Sequence, residues 1–315
     1  MIRGIVEGFY GPPWTHDERL DLLEFCGREG LTTWVHAPKD DPFHRAQWRD
    51  LYPDAQLARL AELARHAEAN GVEFVWTIAP GLSIRLKDDS DLAALDAKRA
   101  QLLSIGVADV QLLWDDIERE WISAADQAEI TNRFKPRVVC PMGYAGSERT
   151  PYRDTFGSLL DPEVVVYWTG PEVVSKEITR EQLDGAADAF GHELLVWDNY
   201  PVNDWDKNVL FLGPLRNRDP QILAGRCAGL IANAMVQAVP SKLALATVAD
   251  WLRQGEAYDP LVSFERALKE YGSEVVEALG PANEAVPPAD LEALVDALAP
   301  GVDAGTGAAL LAPFV

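Results

Sequence analysis

The chain has 315 residues, with 50 acidic against 28 basic side chains and a formal net charge of -22. That length suits one large α/β barrel or two ordinary domains, and 48% hydrophobic with 25% charged residues is a globular composition. The charge argues against nucleic acid or an anionic membrane as partner, because both would be repelled. Cys26, Cys140 and Cys227 are odd in number and far apart, so no disulfide framework is expected. Five scattered histidines give no metal-ligand spacing. The opening Met1-Ile2-Arg3-Gly4-Ile5-Val6 enters a strand pattern at once, without a signal stretch. No apolar run reaches membrane-spanning length, so a cytoplasmic location is the expectation.

Short apolar runs then alternate with helical patterns. Gly4 to Phe9 is the first strand, and Thr15-His16-Asp17-Glu18 is a capping box that opens the first helix, which Gly30 stops. Thr33 to Ala37 and Glu73 to Ala79 follow, with Gly71 closing the helix between them. Gly106 ends the next helix before the strand Val110 to Trp114. A second capping box, Ser123 to Asp126, precedes the strand Arg137 to Cys140, and a third, Thr179 to Gln182, lies between Val164–Trp168 and Leu194–Trp197. Gly229 to Ala232 is the eighth run. Strands this apolar are buried on both faces, as in parallel sheets. Eight strand-then-helix units predict a (β/α)8 TIM barrel over residues 1–255. The alternative, an open doubly wound sheet, finds no glycine-rich phosphate loop after any strand. Pro260 to Leu279 and Ala289 to Leu298 predict two helices with no strand between them, a short C-terminal helical appendage over 256–315.

In such a barrel the chemistry sits at the C-terminal ends of the strands. Read in order, those ends carry Tyr10 and Trp14; Lys39, Asp40, Asp41, His44 and Arg45; Asp115 and Asp116; Tyr144; Trp168 and Thr169; Trp197, Asp198, Asn199, Asn203 and Asp204; and Asn233. Aromatic rings stack on the apolar faces of sugars, while carboxylates and amides bind hydroxyls, so the ring of residues points to a carbohydrate. The pair Asp115-Asp116 is the sharpest feature. Two adjacent acids are costly to bury unless paired or used, and mutual repulsion favours one of them keeping a proton to donate. A solvated acidic turn or a helix N-cap accounts for the same two residues. Lys39-Asp40-Asp41 also reads as an exposed charged turn, Trp168 and Trp197 as packing, Asn199 and Asn203 as turn formers, and His44 as a loop hydrogen-bonder.

Glu7-Gly8-Phe9-Tyr10-Gly11-Pro12-Pro13-Trp14, Ala37-Pro38-Lys39-Asp40-Asp41 and Leu113-Trp114-Asp115-Asp116-Ile117 resemble glycoside hydrolase family 84, as do Trp168-Thr169-Gly170-Pro171, Trp197-Asp198-Asn199-Tyr200 and Ser241-Lys242. The resemblance spans residues 3 to 255. It implies a retaining exo-β-N-acetylglucosaminidase in which the substrate's own 2-acetamido oxygen is the nucleophile, an exception to the two-carboxylate scheme. By that resemblance Asp115 orients the acetamido N–H, and Asp116 is the general acid and then the base. Gly8, Lys39, Asn199, Asp204 and Asn233 would hold sugar hydroxyls, Tyr144 would lie near the acetamido group, and Trp197 would wall the pocket for its methyl. The partner implied is a GlcNAc-containing glycoside or glycoprotein, with O-GlcNAc on Ser or Thr among the candidates, and the resemblance implies no metal or organic cofactor. A hyaluronan or glycosaminoglycan hydrolase and a non-catalytic GlcNAc-binding barrel are the alternatives. Trp114, the segment Cys140-Pro141-Met142-Gly143-Tyr144 and Ala234 depart from the family pattern beside the expected pocket. Many bacterial relatives carry a domain before the barrel and the animal enzyme a long helical region after it; this chain is expected to have neither.

Overall fold

The computed structural model describes residues 1–85, 88–117, 122–205 and 209–278. Eight parallel strands close on themselves in chain order: β1 (Ile2–Glu7), β2 (Thr33–His36), β3 (Glu73–Ile78), β4 (Asp109–Leu113), β5 (Val138–Cys140), β6 (Val165–Trp168), β7 (Leu194–Asp198) and β8 (Cys227–Asn233). The closing pair sets Ile2 against Gly229 and Val6 against Asn233, so no edge is left exposed. This is the (β/α)8 barrel, and each strand is apolar on both faces because each separates two cores. Val6, Val35, Val75, Leu113, Leu195 and Ile231 fill the barrel interior. Their strand neighbours Ile5, Trp34, Trp76, Leu112, Val196 and Leu230 turn outward onto the helices.

Helices α1 (His16–Glu29), α2 (Asp54–Ala69), α3 (Asp89–Ser104), α4 (Ala124–Phe134), α5 (Pro151–Leu159) and α6 (Arg180–Phe190) link the first seven strands, and α7 (Ala238–Gln254) follows the eighth. Thr15, Ser123 and Thr179 close reciprocal capping boxes on α1, α4 and α6, each removing orphan N–H groups at a helix start. Gly30 ends α1 with φ 72, a conformation a side chain disfavours.

One link differs from the repeating pattern. Among the described residues between β7 and β8 there is no α-helix, only the 3-10 turn Pro220–Ala224. Pro201, Pro214 and Pro220 break helical hydrogen bonding there. The loop is instead tied by charge: Arg218 grips Asp198 with two bonds of 2.7 and 2.8 Å, and its guanidinium reaches the carbonyl of Ser175 at 2.9 Å. Asp198 is 1% exposed, so Arg218→Met strands a buried carboxylate and is expected to cost about 3–5 kcal/mol in urea unfolding. A loss below about 1 kcal/mol, the value of an exposed pair, would contradict this reading.

Past the barrel, α8 (Pro260–Ala278) lies against α7 and α1. Phe264, Ala267, Tyr271 and Val275 join the outer core. Glu29 accepts from both Arg266 nitrogens at 2.9 Å and from Tyr271 at 2.6 Å, and buried Lys242 joins Asp21 and Glu274. The second expected helix, Ala289 to Leu298, lies outside the described residues. No described helix is long and apolar enough to cross a membrane, and the three cysteines are free and buried.

Candidate active site

At the C-terminal ends of the strands lies an open cleft that brings together all nine residues expected at the site: Gly8, Lys39, Asp115, Asp116, Tyr144, Trp197, Asn199, Asp204 and Asn233. They come from six different strand ends, so only closure of the barrel assembles them.

The acid pair is split by the backbone. Asp115 leaves β4 and turns into the barrel mouth, where it is 8% exposed. Lys39, itself 6% exposed, donates to its Oδ2. Its Oδ1 is buried and has no partner among the described residues, an acceptor open to a donor that enters the cleft. Asp116 adopts φ 54, the left-handed region that a non-glycine residue occupies at a cost of about 1–3 kcal/mol. That turn carries its carboxylate away from Asp115 and onto two phenols, Tyr10 OH at 2.7 Å and Tyr144 OH at 2.9 Å. Burial, then the charge and hydrogen bond of Asp116, pushes both phenols above their usual range and keeps them protonated donors. Neither acid is an N-cap: α4 is capped by Ser123.

A second network holds the opposite wall. Asn233 accepts from the Gly8 N–H at 3.1 Å and donates to Asn199 at 2.9 Å, and Asn199 accepts from Trp197 Nε1 at 3.1 Å. Gly8 has no room for a side chain, since a Cβ would sit 2.4 Å from Trp197 Cζ2. Asp204 accepts from the Tyr10 N–H at 2.8 Å and so fixes the loop after β1. Trp197 stands edge-on to Tyr167 at 5.3 Å, which holds its ring upright in the barrel mouth.

Of the other strand-end residues, Tyr10 and Thr169 also line the cleft, while several are turned away. Trp168 is fully buried in the outer core with its Nε1 bonded to Gly146 O, whereas Trp197, one of the inward set, lines the cleft. Asp41 is used by Phe43 N and Tyr52 OH, Asp198 by Arg218, and Asn203 by Val209 O, Gln237 and Val236 N. Trp14 packs in the outer core, with its indole on Val236 O. His44 is a buried loop anchor, Nδ1 2.8 Å from Thr77 O; burial holds its pKa well below the ordinary value, so it is neutral and donates there. Of the departures from the family pattern, Trp114 and Ala234 face the outer core, and only Cys140 and Tyr144 reach the cleft.

Four lining residues lie outside the sequence expectation: the buried Val202 and three on the rim. Val173, Val174 and Trp205 stand on the rim, 49%, 45% and 60% exposed. Their one signal in the sequence is bulky apolar side chains inside loops that follow strands β6 and β7.

The family model described as beta-N-acetylglucosaminidase matches residues 3–282. Protein O-GlcNAcase of Rattus norvegicus and of Mus musculus are each 32% identical over 308 residues, covering 87% of this chain and 33% of theirs. The chain thus spans about a third of the length of these relatives. A mutant of the O-GlcNAc hydrolase of Thermobaculum terrenum superposes with a TM-score of 0.82 at 31% identity, covering 94% of this chain and 70% of that one. The structure of CpGH84B gives 0.82 at 31% identity, with 98% and 60% covered. With the family model matching most of its length and the acid pair at the mouth of a closed barrel, the chain belongs to the β-N-acetylglucosaminidases of glycoside hydrolase family 84.

Proposed function

We propose that this chain is a retaining exo-β-N-acetylglucosaminidase that uses its substrate's acetamido group as nucleophile. The observation that carries the reading is the division of labour between the adjacent acids, one with a buried, unpartnered oxygen backed by a lysine, the other gripped by two phenols. Asp115 Oδ1 accepts the acetamido N–H, which aims the carbonyl oxygen at the anomeric carbon and balances the positive charge that grows on nitrogen. The carbonyl oxygen bonds to that carbon as the bond to the leaving oxygen breaks, and Asp116 gives the leaving oxygen its proton. Asp116 then takes a proton from water, which opens the oxazoline at the same carbon and restores the β configuration. Lys39, Asn199, Asp204 and Asn233 offer donors and acceptors for the hydroxyls of one terminal sugar, and Trp197 offers an apolar wall for the acetamido methyl.

For the aglycone we propose Ser or Thr of an O-GlcNAc protein, supported by the names of the relatives and by the exposed apolar rim of Tyr10, Val173, Val174 and Trp205. Turnover of an O-GlcNAc peptide, a chitobiose and a muropeptide, measured side by side, should favour the peptide.

The test of mechanism is an aryl N-acetyl-β-glucosaminide series with zero to three fluorines on the acetyl methyl. Each fluorine weakens the carbonyl nucleophile, so kcat/KM should fall steeply along the series while the first-formed product is the β anomer by NMR. A flat series, or an α product, would sink the mechanism; no turnover of any member would sink the activity.

A further inference from the structure

We infer that Arg45 is a positioning residue that holds the general acid Asp116 by both of its ends. This rests on the role proposed for Asp116 and extends it to a residue on a different loop. Arg45 leaves the loop after β2 and reaches across two other strand ends. One terminal nitrogen donates to the backbone carbonyl of Asp116 at 3.0 Å, and the other donates to Tyr10 OH at 3.0 Å. Tyr10 OH in turn donates to Asp116 Oδ2 at 2.7 Å, with the guanidinium 5.7 Å from the phenol ring centroid. One side chain thus braces the left-handed backbone of Asp116 directly and its carboxylate through a phenol.

Proton direction follows from the donor inventory. Guanidinium is a donor only, so the phenol oxygen must accept from Arg45 and keep its single proton for Asp116. The two contacts use separate nitrogens of a rigid fork, which a lysine ammonium cannot reproduce. The base of the fork is itself pinned. Ala79 N–H donates to His44 O at 2.9 Å, the His44 ring bonds Thr77 O, and buried Lys98 binds the carbonyls of Phe43 and Asp50 on either side. A rigid anchor of this kind is what a contact needs if it is to hold another group in a strained conformation.

A brace on the general acid has a signature that a general packing role lacks. Leaving groups that need a proton depend on Asp116, and activated aryl leaving groups do not. Arg45→Met should therefore lower kcat/KM by about 10- to 100-fold on alkyl or unactivated aryl N-acetyl-β-glucosaminides, and by under about threefold on a dinitrophenyl one. Arg45→Lys restores charge without the fork and should keep the same steep leaving-group dependence, with the fold retained by circular dichroism. In an Asp116→Ala background, Arg45→Met should add less than about twofold, because the braced carboxylate is already gone. Equal losses across all leaving groups, full recovery by Arg45→Lys, or additivity with Asp116→Ala would each overturn the assignment. If the unmutated protein turned over none of these glycosides, the glycosidase reading would fail, and the role of Arg45 with it.

Discussion

Asp116→Ala is expected to lower kcat/KM by about 10²- to 10⁴-fold on glycosides whose leaving group must be protonated. On a dinitrophenyl glycoside the first step should be nearly unaffected, and the variant should instead accumulate intermediate, because in the proposed mechanism Asp116 is also the base for water. The structural reason is that its partners differ from those of Asp115. The turn at φ 54 delivers the carboxylate to Tyr10 and Tyr144. Azide needs no base, so adding it should raise turnover of the activated glycoside and yield a β-glycosyl azide. Comparable losses on good and poor leaving groups, with no azide effect, would mean that Asp116 is structural.

Asp115→Asn should behave differently. It keeps shape and removes charge, so the proposed acetamido attack would lose its electrostatic support, a loss of about 10²- to 10³-fold. The loss should be equal for good and poor leaving groups, since in the proposed mechanism both need the internal nucleophile. Stability should fall as well, because Lys39 is left charged and 6% exposed without its partner. A second change separates these effects. Lys39→Met in the Asp115→Asn background removes the stranded ammonium and should recover melting temperature without recovering rate. Recovery of rate with stability would show that Asp115 matters only as a partner for Lys39.

Much of this architecture is written in local sequence. The capping boxes at Thr15, Ser123 and Thr179 and the stop at Gly30 form as read, because each depends on residues within one turn of the chain. The β7–β8 link was not legible as an exception. A repeating pattern predicts a helix there, and the proline-rich segment that replaces it is held by the remote Arg218–Asp198 pair.

The strand ends show where local information stops. Trp168 and Trp197 follow equally apolar runs, yet one packs outside the barrel and the other lines the cleft. In strands buried on both faces the alternation carries no polarity label, so parity is set by barrel register. Asp198 ends β7 and Asp116 lies three residues past β4; a left-handed turn aims Asp116 at the cleft, and a salt bridge holds Asp198 away. Arg45 reads as one cation in a charged loop, and only closure places it beside an acid 71 positions away.

The opening charge count separates along the same line. By itself the sequence determined the acidic balance of -22, the eight-strand order and the identity of the residues at each strand end. Composition, periodicity and turn chemistry are local properties, readable before the chain closes. Tertiary structure decided which of the 50 acids face the cleft and which are spent on loops and helix ties. That selection depends on pleat parity, one left-handed residue and the meeting of loops remote in sequence, none of which exists until the barrel is shut.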